Sequence, residues 1–266
     1  MQILTWLIGI YLVICIAAYF GNRVFMYHPD PARISPAEAG IDGVEEIELN
    51  TGDGETLVAW YSKAKKAKPT ILYFHGNAGN AGGRAPKVET MRGQGAGVFL
   101  LNNRGYGGST GKPSEAHNFA DAHVAYEYLR GLGIAANDII LYGESLGSGQ
   151  ATSLASTQDV GAVVLEAPLT STVDVGKRTY FFLPLGILLQ DKFANPEYVA
   201  KIKAPVLVLH GEQDGVIPVQ MGKDVFAAAN EPKKLELFPQ AGHSDLFEHG
   251  AWEKAWDFIK ALPRKN

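Results

Sequence analysis

The sequence predicts an α/β fold, a mostly parallel sheet with helices on both faces, preceded by one apolar N-terminal helix. Three observations carry this. From Thr70 onward, apolar runs of strand length alternate with longer helical segments, the order that buries a parallel sheet between two helix layers. The pentapeptide Gly143-Glu144-Ser145-Leu146-Gly147 follows the apolar run Asp138 to Tyr142 and precedes a small-residue helix, Ser148 to Ser156. Finally, Ile3 to Phe20 is uncharged and apolar almost throughout.

As a helix, Ile3 to Phe20 is about 27 Å long at about 1.5 Å per residue, close to the thickness of a bilayer's hydrocarbon core. Trp6, Tyr11, Tyr19 and Phe20 supply interfacial aromatics. A cleaved signal peptide would need basic residues before the apolar run and a small-residue cleavage site, and Ala17 to Gly21 makes a poor one. Residues 1–22 are therefore expected to be an uncleaved transmembrane anchor. Arg23 and Arg33 behind it lean toward a cytoplasmic catalytic domain. A connector, 23–44, contains Pro29, Pro31 and Pro36. Glu45 to Leu49 and Thr56 to Tyr61 then read as an antiparallel pair around the turn 51–54. Strands at Thr70, Gly97, Asp138 and Gly161 alternate with helices at Ala85 to Arg92, Ser114 to Leu129 and Ser148 to Ser156. The alternation pauses at about 168–204, where a short cap is expected. It resumes with an apolar strand from Ala204, a strand at Lys234 to Phe238 and a helix from Asp245. One domain over 45–266 is large enough to bury both faces of such a sheet.

A serine between two near glycines at a strand-to-helix junction can occupy a tight, strained turn, because neither glycine carries a Cβ that would collide there. The following helix points its free N–H groups at the same spot. A serine hydroxyl at neutral pH needs a base, a carboxylate to orient that base, and donors for an oxyanion. His243, in the turn 239–245 behind a strand, is the expected base. Asp214, just past the carboxyl end of the strand from Ala204, is the expected acid, with Asp245 and Glu212 as competitors. Ser244 and Asp245 are better explained as helix N-caps. The backbone N–H groups of Leu146 and Asn77 are the expected oxyanion donors, Asn77 lying in the Gly-rich loop behind the strand from Thr70. His75 reads as structural, His210 as a core histidine, and Arg104 as part of a buried ion pair.

His75-Gly76-Asn77-Ala78-Gly79-Asn80, Asn103 to Gly111, Gly143 to Gly147, His210 to Asp214 and Gly242-His243-Ser244 together resemble the successive signatures of an α/β-hydrolase, in order. The resemblance is to the subgroup of membrane-anchored serine hydrolases that includes depalmitoylase-like and bud-emergence-type proteins, and it covers nearly everything after about Glu45. It implies the α/β-hydrolase fold, a Ser145–Asp214–His243 triad, and hydrolysis of an ester, thioester or amide.

The bulk properties fit. The net charge of −4 leaves no basic surface for nucleic acid, and Lys63 to Lys68 reads as a solvated loop. One cysteine, Cys15, excludes a disulfide framework or a cysteine-based metal site. No cofactor is expected: Gly105 to Ser109 follows a strand, but the next helix starts too late to cradle a pyrophosphate. Tyr180 to Leu189 is strongly apolar, too short to span a bilayer and broken by Pro184 and Gly186. Phe181, Phe182 and Leu188 are expected to wall an acyl-chain pocket, so lipid-like esters or thioesters reached from the membrane are the expected substrates. A serine peptidase using Asp174, Asp191 or Glu197 to hold a peptide terminus, and a non-catalytic membrane-anchored binding protein, are the rival readings. The sequence does not address oligomeric state.

Overall fold

In the computed structural model, which describes residues 2–262, the main sheet has eight strands. They are β1 Glu45–Asn50, β2 Thr56–Ser62, β3 Thr70–Phe74, β4 Gly97–Leu101, β5 Ile139–Glu144, β6 Ala162–Glu166, β7 Val206–Gly211 and β8 Lys233–Phe238. Their spatial order is β1-β2-β4-β3-β5-β6-β7-β8, antiparallel at the β1–β2 and β2–β4 pairings and parallel elsewhere. Every residue of β3, β4, β6 and β7 is buried. That is why these strands read as unbroken apolar runs instead of alternating ones: a parallel sheet is covered on both faces.

Successive side chains still alternate between two cores. Ile71 and Tyr73 of β3, Val98 and Leu100 of β4, and Leu207 and Leu209 of β7 face one layer with Val88, Met91, Trp252, Trp256 and Ile259. Their neighbours Leu72, Phe74, Phe99, Leu101, Val206 and Val208 face the other with Ala122, Ala125, Leu129, Leu154 and Val225. Helices α2 Ala85–Gly93 and α9 Ala251–Ala261 form the first layer, α3 Glu115–Gly131, α4 Gly147–Ala155 and α8 Val219–Ala228 the second. The expected α/β-hydrolase architecture is thus observed. Three short helices, α5 Thr172–Lys177, α6 Leu185–Leu188 and α7 Asn195–Val199, fill the interval between β6 and β7.

Helix α1 spans Gln2–Met26, six residues beyond Phe20, and its best apolar window has a mean hydropathy of 2.4 with none of it buried in the protein. By length and composition it is a candidate membrane anchor or signal sequence. The chain behind it is tied to the domain. Tyr27 is buried, and His28–Pro29 pairs in parallel with Ala78–Gly79. Near the C-terminus the structure differs from the expected helix starting at Asp245. A 3-10 turn covers Leu246–His249, Gly250 takes a left-handed φ of 86°, and α9 starts only at Ala251. Asp245 is not a side-chain cap: its Oδ1 accepts from the Gly242 N–H at 2.7 Å, closing the loop that carries His243.

Candidate active site

Strand β5 ends at Glu144, and Ser145 then adopts a φ of 52°, a left-handed conformation unfavourable for a side-chain-bearing residue. Neighbouring backbone holds it there. The Ser145 N–H donates to the Glu166 carbonyl at the end of β6 (2.8 Å), and the Ser148 N–H to the Ser145 carbonyl (3.0 Å). A Cβ on Gly147 would lie 2.2 Å from the Phe74 carbonyl oxygen, and one on Gly143 2.7 Å from the Gly147 carbonyl oxygen. Both glycines are required because β3, β5 and α4 converge at this turn.

The structure brings Ser145, His243 and Asp214 together from three strand ends. His243 Nε2 lies 3.0 Å from Ser145 Oγ, and its Nδ1 lies 2.7 Å from Asp214 Oδ2. With Nδ1 carrying the proton, the imidazole donates to Asp214 and leaves Nε2 free to accept from the serine hydroxyl. Asp214 Oδ1 accepts the Val216 and Ile217 N–H groups, each at 2.8 Å. Its Oδ2 also has His210 Nε2 at 3.4 Å, a ring that bonds the Ile217 carbonyl at 2.9 Å. Burial alone would raise the Asp214 carboxyl, but the hydrogen bonds from His210, His243 and Ile217 hold it well below the usual carboxylate range. Asp245 and Glu212 are not in this chain of contacts. His210 is buried as expected, but its approach to Asp214 had no sequence signal beyond its position four residues upstream.

Beneath the turn lies a charged layer that the sequence did not reveal. Arg84 and Lys87 both reach Glu144 at 3.1 Å, Lys87 also reaches Glu166 at 2.8 Å, and the Tyr73 hydroxyl donates to Glu144. Burial pushes the Glu144 carboxyl up, but the two cations and the tyrosine bond more than offset this and hold it low. Arg84 also donates to the Ala78 carbonyl at 2.5 Å, so the same cation supports the loop beyond β3.

That loop packs against the serine: a Cβ on Gly76 would lie 3.3 Å from Ser145 Cβ. His75 is fully buried, bonds the Gly76 carbonyl at 2.7 Å and accepts from the Asn103 N–H at 3.4 Å; burial lowers its pKa to about 4, so it is neutral. The Asn77 side chain is occupied elsewhere. Its Nδ2 donates to the Met26 carbonyl at 2.5 Å, and the Tyr106 hydroxyl donates to the Asn77 carbonyl at 2.7 Å. Arg104 lies outside the site, bonded to Asp121 at 2.8 and 2.9 Å and to Asp53 at 2.6 and 3.0 Å.

An apolar cluster adjoins the serine through Leu146. It consists of Tyr27, Leu146, Leu169, Phe193, Ile217 and Met221. Apart from Leu146, expected as an oxyanion donor, none was a candidate from sequence, because they come from separate loops and helix ends and share no common periodic pattern. The cap residues expected to wall the pocket divide. Leu188 is buried and Phe181 and Phe182 stand 81% and 54% exposed, and none of the three belongs to this cluster. Phe181 and Phe182 lie in the turn before α6, whose inward face is filled by Leu185 and Leu188, three residues apart. Clefts of about 600 and 620 Å³ open at the opposite, amino-terminal edge of the strands, beside Asp138, Lys203 and Pro205 in one and Lys63 and Thr70 in the other, away from Ser145.

A family model described as serine aminopeptidase, S33, matches residues 65–183 and 194–250. Protein bem46 of Schizosaccharomyces pombe is 36% identical over 230 residues, covering 81% of this chain and 76% of that protein. Alpha/beta hydrolase domain-containing protein 17B of Homo sapiens is 32% identical over 226 residues, covering 82% and 76%. Among solved structures, the Pyrococcus furiosus esterase Pf2001 superposes with a TM-score of 0.71 at 20% identity, covering 88% of this chain and 99% of that one, a likeness of fold.

Proposed function

This chain belongs to the α/β-hydrolase family described as serine aminopeptidase, S33, and on that footing we propose that it is a serine hydrolase that cleaves carboxylic ester or thioester bonds of acyl, lipid-like substrates through an acyl-enzyme. The observation that carries the reading is the unbroken path from Ser145 Oγ through His243 to Asp214, at 3.0 and 2.7 Å, starting on a serine in a strained turn.

In this mechanism Ser145 Oγ attacks the substrate carbonyl carbon while His243 Nε2 takes its proton, and Asp214 steadies the imidazolium that forms. The carbonyl oxygen becomes an oxyanion held by the Leu146 and Asn77 N–H groups; one such donor contributes about 10²–10³ in turnover. Occupation of the Asn77 amide by Met26 supports a backbone role for this residue. Collapse of the tetrahedral intermediate breaks the bond to the leaving group, which takes the proton from His243. Water then attacks the acyl-serine by the same steps, releasing the acid and restoring Ser145. The cluster of Leu146, Leu169, Ile217 and Met221 offers an apolar surface for the acyl chain. Helix α1 serves as an uncleaved anchor, and Arg23 and Arg33 favour a catalytic domain on the cytoplasmic side.

A peptidase reading draws on the description of the family. Against it, two of the cap carboxylates that could hold a peptide terminus already have partners: Asp191 bonds Arg23 and Tyr27, and Asp174 bonds Thr170 and Ser171. The test is turnover of an acyl-ester and a peptide panel, together with fluorophosphonate labelling, by the parent, Ser145→Ala and His243→Ala. Parent labelling and ester turnover, both lost by orders of magnitude in Ser145→Ala with folding intact, are expected. Near-normal ester turnover by Ser145→Ala would overturn the proposal, and peptide turnover alone would favour the peptidase.

A further inference from the structure

The cap and α1 lie side by side along much of the helix. The Tyr11 hydroxyl donates to the Phe182 carbonyl at 2.8 Å, Asn22 Nδ2 to the Leu188 carbonyl at 3.4 Å, Gln190 Nε2 to the Tyr19 carbonyl at 3.4 Å, and Arg23 to Asp191 at 2.8 and 3.0 Å. The first and last of these contacts set the direction of the cap chain, since between them Leu188 and Gln190 meet α1 in the opposite order, at Asn22 and Tyr19. The cap chain rises from the level of Tyr11, in the middle of the apolar stretch, to that of Arg23 at its end. At about 1.5 Å per residue the two levels lie about 18 Å apart along the axis. A single leaflet contributes roughly half of a hydrocarbon core about 30 Å thick.

Composition follows the same gradient. No residue between Thr179 and Gln190 is charged. At the deep end Tyr180, Phe181 and Phe182 are 51%, 81% and 54% exposed, and Ile187, nearer the level of Asn22, is 77% exposed. At the shallow end stand Arg23 and Asp191, and the exposed Lys177, Arg178 and Lys192 flank the same segment, the cations that lipid headgroups attract. We infer that residues 180–189 form a second membrane-inserting element, sunk into the acyl region of the leaflet beneath the domain and held at fixed depth by α1. The inference rests on the reading of α1 as a retained anchor.

Six backbone N–H groups of the segment are satisfied inside the protein. Within hydrocarbon every backbone polar group needs a partner from the protein. The N–H groups of Tyr180, Leu183, Leu185, Ile187, Leu188 and Leu189 donate to carbonyls inside the cap, and Pro184 has no N–H to satisfy. The outward Phe182 carbonyl receives the Tyr11 hydroxyl, so a donor on the apolar helix satisfies an acceptor that lipid cannot.

The test uses the full chain in a Cys15→Ser background, carrying Phe181→Cys or Ile187→Cys labelled with an environment-sensitive fluorophore, in phosphatidylcholine vesicles with and without mid-chain doxyl phosphatidylcholine. Reference labels are Val13→Cys on α1 and Leu132→Cys behind α3, both at exposed positions. The labels at 181 and 187 are both expected to lose emission to the doxyl lipid, that at 181 as fully as the label at 13, and the label at 132 to lose none. Unquenched labels at 181 and 187 beside a quenched label at 13 would overturn the inference and leave the anchor standing. A blue-shifted but unquenched label at 181 would also overturn it, since a second protein chain would then cover the cap. An unquenched label at 13 would overturn the anchor reading and this inference together.

Discussion

The Asn77 side-chain amide donates to the Met26 carbonyl at 2.5 Å, so the loop beside Ser145 caps the last turn of α1. The carbonyls at a helix's carboxyl end have no partner within the helix, and Asn77 supplies one here. The link is reinforced by the pairing of His28–Pro29 with Ala78–Gly79 and by Asn80, which donates to Asp30 and to the Ala32 carbonyl at 3.0 Å each.

Two truncations should therefore differ sharply. A chain beginning at Gly21 keeps Arg23, Tyr27 and the paired segment, and is expected to hydrolyse water-soluble esters at close to the parent rate. A chain beginning at Arg33 loses the support of the loop, and its turnover is expected to fall on the order of 10²-fold, the scale of one lost oxyanion donor. Turnover of a short-chain ester, with thermal melts of both chains, is the measurement.

The turn at Ser145 should be intolerant of a methyl group. Gly147→Ala would drive a Cβ to 2.2 Å from a backbone carbonyl of β3, and is expected to lower stability by about 1–3 kcal/mol or more, with loss of turnover. Gly186→Ala meets nothing within 4 Å and serves as the neutral comparison. Denaturant unfolding of both variants checks this.

Glu144 gives stability a dependence on pH. Its folded carboxyl is held below its unfolded value, so its contribution is complete above the unfolded pKa of about 4.3 and is lost as pH falls through the lower folded value. Glu144→Gln is expected to cost about 3–5 kcal/mol at neutral pH, as for a broken buried ion pair, and the gap from the parent should narrow on acidification. Unfolding free energies at pH 7 and pH 3 decide it; a gap that widens in acid would refute the assignment.

Substrate length should respond to the cluster beside Leu146. If Ile217 and Met221 contact the acyl chain, each methylene buried contributes up to about 0.8 kcal/mol, roughly fourfold in catalytic efficiency per carbon until the space is filled. Ile217→Phe and Met221→Phe are expected to end that rise at a shorter chain while sparing acetyl esters. A homologous series of p-nitrophenyl esters, run on variants with parent-like melting, is the check.

The sequence by itself determined the strands, several of the helices and the three residues that the sheet brings together. Unbroken apolar runs at Thr70, Gly97, Gly161 and Ala204 are legible because a strand covered on both faces has no polar face to show. Ser145, His243 and Asp214 are legible for a related reason: each stands in a turn just past a strand, and parallel strands bring their carboxyl ends to one edge of the sheet. Tertiary structure alone decided what surrounds them. Tyr27, Leu169, Phe193 and Met221 meet beside Leu146 from four separate segments, Arg84 reaches Glu144 across two elements, and Asn77 grips Met26. It also turned Phe181 and Phe182 outward, in the turn that leads into the single helical turn burying Leu185 and Leu188. Periodicity and turn chemistry report what a residue does within its own element, whereas contacts between distant loops depend on how those elements pack, and no local pattern records that.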